Sequence, residues 1–426
     1  MKHLIILGDG MADWPVASLG GKTLLQYAQT PNMDKLARLG RTGMLKTVPV
    51  GFHPGSEVAN TAILGYNLKE VYEGRGSLEA ASIGYELQPG DMAMRCNLIC
   101  VADGRIKNHS AGHITTEEAD VLVRFLQEEL AKDEQFANVT LTTGIQYRHL
   151  LVIKGGDKRL RCTAPHDVPG QEFMPLLVKP KLMEAQPTAD LINRMILRSQ
   201  ELLATHPLNL KRVAEGKDPA NSLWPWSPGY RPSMVPLTET YPVIKSGAVI
   251  SAVDLIKGIG ICAGMKSIDV EGATGNVHTN YDGKAETAIK AFCDGYDYVY
   301  VHVEAPDECG HRAELENKVL SVELIDKKIL SPVYEYLLGT GEDFKIMVLP
   351  DHPTPVRLRT HTITPVPFFI CAAVVTVAIG ADFIPGETIN IEAMDYEIYK
   401  NGRDRSALCN ACNKFLGKAQ SAISTV

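Results

Sequence analysis

Three stretches of this chain carry almost unbroken apolar, largely β-branched runs that end on an acid. HLIILGD closes at Asp9, YVYVHVEAPD at Asp307, and FKIMVLPDH at Asp351 and His352. A strand covered on both faces of a parallel sheet reads this way, without the alternation of a half-exposed strand. The segments between them switch to helical spacing. TPNMDKLARLG offers Thr30 as an N-cap, Pro31 at the first helical position, apolar Met33, Leu36 and Leu39, and Gly40 as a stop. GKAETAIKAFCDG before the Asp307 strand and ELENKVLSVELIDKKILSPVYEYLLG after it share that spacing. Strand and helix in alternation predict an α/β domain, a mostly parallel sheet flanked by helices.

From residue 86 to 185 the pattern changes. GDMAMRCNLICVADGRIKNHSAGH and ANVTLTTGIQYRHLLVIKGG read as hairpin strands around one helix near TTEEADVLVRFLQEEL, and LQPGD and DVPGQEFMP supply hinge-like prolines and glycines. Strand-and-acid segments lie on both sides. The expectation is therefore a smaller α+β domain, 86–185, inserted into a discontinuous domain formed by 1–85 and 186–426.

Ligands of open α/β sheets bind beyond the carboxyl ends of the strands, so three acids distant in sequence are expected to converge. Asp9, Asp307, His311, Asp351, His352 and His361 form the candidate set. Singly, each is ordinary: an Asp after a strand is commonly a turn former or helix cap. Together, three carboxylates and three imidazoles suit first-row divalent metals such as Mn²⁺ or Zn²⁺ better than calcium. Six ligands are too many for one catalytic ion and suit two, about 3.5–4 Å apart, as in phosphoryl transfer. GFHPGSEVANTAILGYN sets Ser56 at the start of a helical run. There it is either an ordinary N-cap or a hydroxyl activated beside a metal, where the helix N-terminus also favours an anion.

Composition narrows the partners. The chain has 426 residues, enough for two or three domains, and Lys+Arg 43 against Asp+Glu 50 leaves a formal charge of -7, which excludes the basic footprint of a nucleic-acid binder. MKHLIILGDG is too short for a signal segment, and VPFFICAAVVTVAIGADFIP is broken by Pro367, Gly380 and Asp382, so it reads as buried sheet rather than a membrane span. Nine scattered cysteines, with one CxxC at Cys409 and Cys412, fit reduced residues of a cytoplasmic protein better than a disulfide or zinc framework. LGGKT lacks the upstream glycine of a phosphate-binding loop, Val16 standing in its place, and reads as a loop and helix start.

The motifs LGDGMADWP, TPNMDKLARLGRTG, PGSEVAN with ILGY, DECGH, and DH followed by HTITPVPFF together resemble the archaeal-type cofactor-independent phosphoglycerate mutases of the alkaline phosphatase superfamily. The resemblance spans nearly the whole chain, in the family's order. It implies an alkaline-phosphatase-like core interrupted by a smaller substrate-orienting domain. It further implies Ser56 as the nucleophile that becomes phosphoserine, one metal held by Asp9, Ser56, Asp351 and His352, and the other by Asp307, His311 and His361. Mn²⁺ is the expected ion, with Zn²⁺ and Mg²⁺ as alternatives, and no bisphosphoglycerate is required. The implied reaction passes the phosphoryl group of 3-phosphoglycerate to Ser56 and returns it to the other hydroxyl of the retained glycerate.

A small phosphorylated hydroxy acid needs cations for its phosphoryl and carboxylate oxygens, which arginine serves through paired hydrogen bonds. Arg75 and Arg148 lead the candidates, ahead of Arg95 and Arg161, with His109, His113 and His166 as further substrate ligands or proton donors. The NHSAGHI segment carries histidine and serine where the family resemblance leads one to expect more arginine. This opens a second reading, a mutase-like phosphotransferase acting on homoserine; a metal-dependent phosphatase is a third.

Overall fold

The computed structural model describes residues 1–373. Cys409, Cys412 and the apolar run beyond Ala373 lie outside the described residues. In chain order the strands are β1 (Lys2–Gly8), β2 (Arg41–Leu45), β3 (Asp91–Ala102), β4 (Arg105–Asn108), β5 (Val139–Ile145), β6 (Arg148–Lys154), β7 (Leu160–Arg161), β8 (Lys179–Pro180), β9 (Ser222–Gly229), β10 (Gly247–Ile250), β11 (Lys266–Ile268), β12 (Tyr298–Val303), β13 (Phe344–Leu349) and β14 (Val366–Ala373). The chain divides into two compact units, Met1–Val71 with the chain from Met234 onward, and Tyr72–Ser233.

The first unit is built on a seven-stranded sheet of order β11-β10-β12-β1-β13-β14-β2. β11, β10, β12, β1 and β13 run parallel, and β14 joins β13 and β2 antiparallel. β1 is central, with Gly8 opposite Val303 on one side and Leu7 opposite Leu349 on the other. Every residue of β12 and β13 is buried, which is why their sequences run apolar without alternation. Ala285, Ala288 and Phe292 of the helix Tyr281–Cys293 share a core with Leu4, Ile6, Val322, Ile329 and Val333. Because β1, β12 and β13 are parallel neighbours, their carboxyl ends finish side by side and the acids that follow them emerge at one edge.

Thr30 stands at the N-cap of the helix Pro31–Leu39, but its side chain makes no capping hydrogen bond. The exposed amides are met from elsewhere: Asp326 accepts from Met33 N at 2.6 Å and from Asn32 N at 3.3 Å. Asp326 lies in a π-helical turn, Ile325–Leu330, between the helices Leu315–Leu324 and Ser331–Thr340. A carboxylate carries full charge toward the helix N-terminus where threonine offers only a dipole.

The second unit begins earlier and ends later than the limits 86 and 185 expected from sequence. Its antiparallel sheet has the order β4-β3-β6-β5, with β9 also pairing β3. The helix Arg75–Ser82 lies so close to β3 that a Cβ at Gly76 would come within 2.6 Å of Ala93 O. The helix Gln186–Ala204 buries Ala189, Ile192, Met195, Ile196 and Leu203 in the same core as Met92, Met94 and Leu98 of β3. These later elements complete the unit: the helix adds its apolar side chains to that core, and β9 pairs along the edge of β3.

Candidate active site

Ser56 is the first residue of the helix Ser56–Ile63, and the N-cap position belongs to Gly55, with no side-chain capping bond. Its hydroxyl turns instead to the strand ends, 3.3 Å from Asp9 Oδ2 and 3.2 Å from His352 Nε2. Asp351 accepts from Gly10 N at 3.0 Å, His352 N at 2.8 Å and Asn60 Nδ2 at 3.2 Å. Gly10 is required there: its φ is 58°, and any Cβ would stand 2.5 Å from Asp307 Oδ1.

The helix Ala305–Arg312 starts two residues beyond β12 and sets Asp307 and His311 one turn apart, with His311 Nε2 3.1 Å from Asp307 Oδ2. His361 Nε2 lies 3.4 Å from Asp307 Oδ1 and 2.9 Å from His311 Nε2. The other ring nitrogens face carbonyls, His311 Nδ1 at 3.0 Å from Arg359 O and His361 Nδ1 at 3.2 Å from Pro54 O. A carbonyl only accepts, so each Nδ1 carries a proton and, in the neutral rings, the two Nε2 lone pairs converge on one another and on a carboxylate. Such a donor set calls for a cation. His352 stacks on His361 with ring centroids 3.9 Å apart.

Electrostatics point the same way. Asp9, Asp307, Asp351 and His352 are all buried, and among the described residues the ion-pair partners of the three acids are histidines only. Burial, with Asp351 and Asp307 close by, pushes Asp9 well above the usual carboxylate range. Burial alone would also push Asp307 up, but the hydrogen bonds of His311 and His361 hold it well below that range. The hydrogen bond to Asp307 pushes His311 up to about 9. Two groups, Asp307 with His311 and His361, and Asp9 with Asp307 and His352, bring their ligand atoms within 4.8 Å of one another. Asp307 belongs to both. The donors therefore fit divalent metal ions.

Several residues around this centre were not singled out from sequence. Thr354 donates to Asp307 Oδ1 and lies 3.3 Å from His352 Nδ1. Lys318, wholly buried, donates to Asp13 Oδ2 at 2.9 Å and to Thr354 O at 2.7 Å, tying the loop after β1 to the loop after β13. Asn60, Tyr300 and His302 complete the surroundings of Asp9 and Asp351. The sequence held a signal for two of them. Lys318 falls in phase with the apolar stripe of Val322, Ile325 and Ile329, and His302 interrupts an apolar run.

In Tyr72–Ser233 the basic candidates also gather. Arg95 lies on buried β3 with its guanidinium 5.2 Å from the Trp226 ring, 3.4 Å from Glu79, and its Nε without a hydrogen-bond partner. His166 packs 5.3 Å from Trp226 and 6.1 Å from His109, which meets Tyr147 at 5.7 Å; Arg148 lies 5.4 Å over that same tyrosine. Burial lowers the Arg95 pKa, and the charges of Arg148 and Arg75 add to it. Burial and then His113 and Arg95 hold His109 down, and His166 is held down chiefly by burial. His113 is exposed at φ 56°, and Arg161 sits exposed on β7 opposite Lys179.

A family model described as 2,3-bisphosphoglycerate-independent phosphoglycerate mutase matches residues 37–209. A relative of that name from Methanosarcina mazei is 47% identical over 403 residues, 94% of this chain and 96% of its own. One from Geobacter sulfurreducens, called a probable enzyme of the same name, is 46% identical, covering 87% of this chain and 90% of its own. Among solved structures, a protein from Pyrococcus horikoshii is similar with a TM-score of 0.69 at 30% identity, covering 87% of each chain. A cofactor-independent phosphoglycerate mutase from Thermoplasma acidophilum gives a TM-score of 0.55 at 25% identity over 87% of this chain and 89% of its own.

Proposed function

The chain belongs to the family of 2,3-bisphosphoglycerate-independent phosphoglycerate mutases, and we propose that it interconverts 3-phosphoglycerate and 2-phosphoglycerate by way of a phosphoserine at Ser56. The observation that carries the reading is the Ser56 hydroxyl, which makes no cap and lies between Asp9 and His352. Asp9, Ser56, Asp351 and His352 would hold one divalent ion, and Asp307, His311 and His361 a second, Mn²⁺ being our choice for both. Bound there, such ions lower the pKa of a hydroxyl and neutralise phosphoryl oxygens.

The Ser56 hydroxyl gives up its proton and its oxygen attacks phosphorus as the bond to the 3-oxygen of glycerate breaks, that oxygen taking up a proton. The 2-hydroxyl of the retained glycerate then gives up its proton and attacks the same phosphorus, and the bond to Ser56 breaks as the serine oxygen regains one. No outside donor enters and no phosphate leaves, so water must be kept from the phosphoserine. The Ser56 end of its helix favours the anion throughout. We assign binding of the substrate anion to Arg75, Arg95 and Arg148 with His109, His113 and His166. Clustered arginines suit carboxylate and phosphate through paired N–H groups, and neutral imidazoles can donate or accept.

Phosphorus NMR of the Mn²⁺-loaded protein with 3-phosphoglycerate and no nucleotide tests the reading. The 2-phosphoglycerate resonance is the expected outcome. Failure to convert, with phosphohomoserine forming from homoserine and ATP, would overturn it in favour of a kinase-like transferase; release of inorganic phosphate alone would favour a phosphatase. Ser56→Ala is expected to abolish conversion while retaining bound metal by elemental analysis, and near-normal turnover in that variant would remove Ser56 from the role.

A further inference from the structure

Two hydrogen-bond chains run from one face of β12 to the two acids beside Ser56. Tyr300 and His302 are two residues apart on the strand, so their side chains leave the same face. The Tyr300 hydroxyl donates to Asn60 Oδ1 at 2.6 Å. With its oxygen engaged, Asn60 turns its Nδ2 to Ser56 O at 2.8 Å and Asp351 Oδ2 at 3.2 Å. In the second chain Val253 N donates to Ser251 Oγ at 3.0 Å, Ser251 Oγ lies 3.1 Å from His302 Nδ1, and His302 Nε2 lies 2.9 Å from Asp9 Oδ2.

The direction of this second chain follows from what each group can do. Holding an ion, Asp9 is a carboxylate and only accepts, so the proton facing it sits on His302 Nε2; Nδ1 of the neutral ring then accepts, and the Ser251 hydroxyl supplies the donor. Tyr300, His302, Ser251 and Asn60 are all buried, where a polar group without its partner is costly, so each chain strongly favours one arrangement.

We propose that Tyr300 and His302 are positioning residues that fix the carboxylates of Asp351 and Asp9, the first through Asn60 and the second directly, in the orientation that receives the metal beside Ser56. The inference rests on the metal reading above. His302 commits one oxygen of Asp9 and leaves Oδ1 for the ion. Without that N–H the carboxylate is free to turn, and loss of such outer hydrogen bonds typically weakens metal affinity about 10–100-fold.

The test is the Mn²⁺ dissociation constant of the full chain, measured by competition with a chromogenic chelator, alongside thermal melting of the metal-free form. His302→Met is expected to weaken binding about 10–100-fold, and His302→Gln, which keeps an N–H near the Nε2 position, to regain most of the loss. Tyr300→Phe, which removes a single oxygen, should weaken binding in the same direction and decides the matter if His302→Met fails to fold. A purely structural role would lower the melting temperature of the metal-free form and leave the dissociation constant unchanged; that result in both variants overturns the inference alone. A wild-type protein that binds no Mn²⁺ overturns the metal reading and the inference with it.

Discussion

Gly10 follows Asp9 at φ 58°, and a Cβ there would press on Asp307 Oδ1 at 2.5 Å and Thr354 Oγ1 at 2.6 Å. Gly10→Ala should cost about 1–2 kcal/mol in urea unfolding for the left-handed backbone. Displacing Asp307 should lower turnover about 100-fold, the scale of a misplacement near 1 Å. Lys318→Met removes one partner of the buried pair with Asp13 and is expected to cost about 3–5 kcal/mol by the same measurement. His149 makes a pH prediction in the second unit. Its Nδ1 accepts from Gly144 N at 3.2 Å, its Nε2 has no partner, and burial pushes the imidazole down to about 3. The folded state thus refuses a proton that the unfolded chain takes up below its ordinary pKa near 6.5. The stability His149 contributes is whole above that value and falls as pH drops toward about 3, a loss of ~2 kcal/mol at pH 5. His149→Asn, which keeps an acceptor for Gly144, should flatten that part of the stability profile measured by urea titration; an unchanged acid limb would contradict the assignment. At this scale the convergence of the acids with Ser56 was legible in the sequence because Asp9, Asp307 and Asp351 close apolar runs and Ser56 follows Pro54 and Gly55. Asn60 and Tyr300 were not, because an asparagine inside a helix and a tyrosine inside a strand read as ordinary packing until their neighbours are known.

Elements explain which expectations met a different outcome. The parallel strands and their intervening helices were readable, since burial on both faces and a 3.6-residue period leave direct marks on the sequence. The limits of the second unit were not, because β9 reaches β3 across the helices Gln186–Ala204 and Pro207–Ala214, and its SLWPWSPG carries two prolines that argue against a strand. Among the described strands β9 pairs only with β3, and such an edge tolerates residues without an N–H. The cap of the helix Pro31–Leu39 was equally hidden, since Asp326 arrives from nearly three hundred residues away. Asp326→Ala should therefore destabilise the protein by about 1–2 kcal/mol, the range of a lost cap at a helix N-terminus. Thr30→Ala, whose side chain caps nothing, should cost less in the same unfolding experiment.

For the whole molecule, metal and stability are linked. An ion that binds the folded site and not the unfolded chain adds about 2.7 kcal/mol when present at a hundredfold over its dissociation constant. Melting temperature should rise with Mn²⁺ and fall back with chelator, and Asp307→Asn, at the carboxylate common to both ligand groups, should abolish most of that increment. The central place of β1 has a consequence for how the protein is made. The strand leaves the ribosome long before its neighbours β12 and β13, which begin at Tyr298 and Phe344. At about 5–20 residues per second, the first neighbour follows roughly 15–60 s later. Throughout that interval Leu4, Ile5, Ile6 and Leu7 are without the strands that bury them, whereas Tyr72–Ser233 has all of its own strands in hand before the interval ends. Chains stalled before residue 298 should thus yield a protease-resistant fragment from the second unit and none containing β1, and their yield should depend on whatever shields that segment from its copies on neighbouring ribosomes.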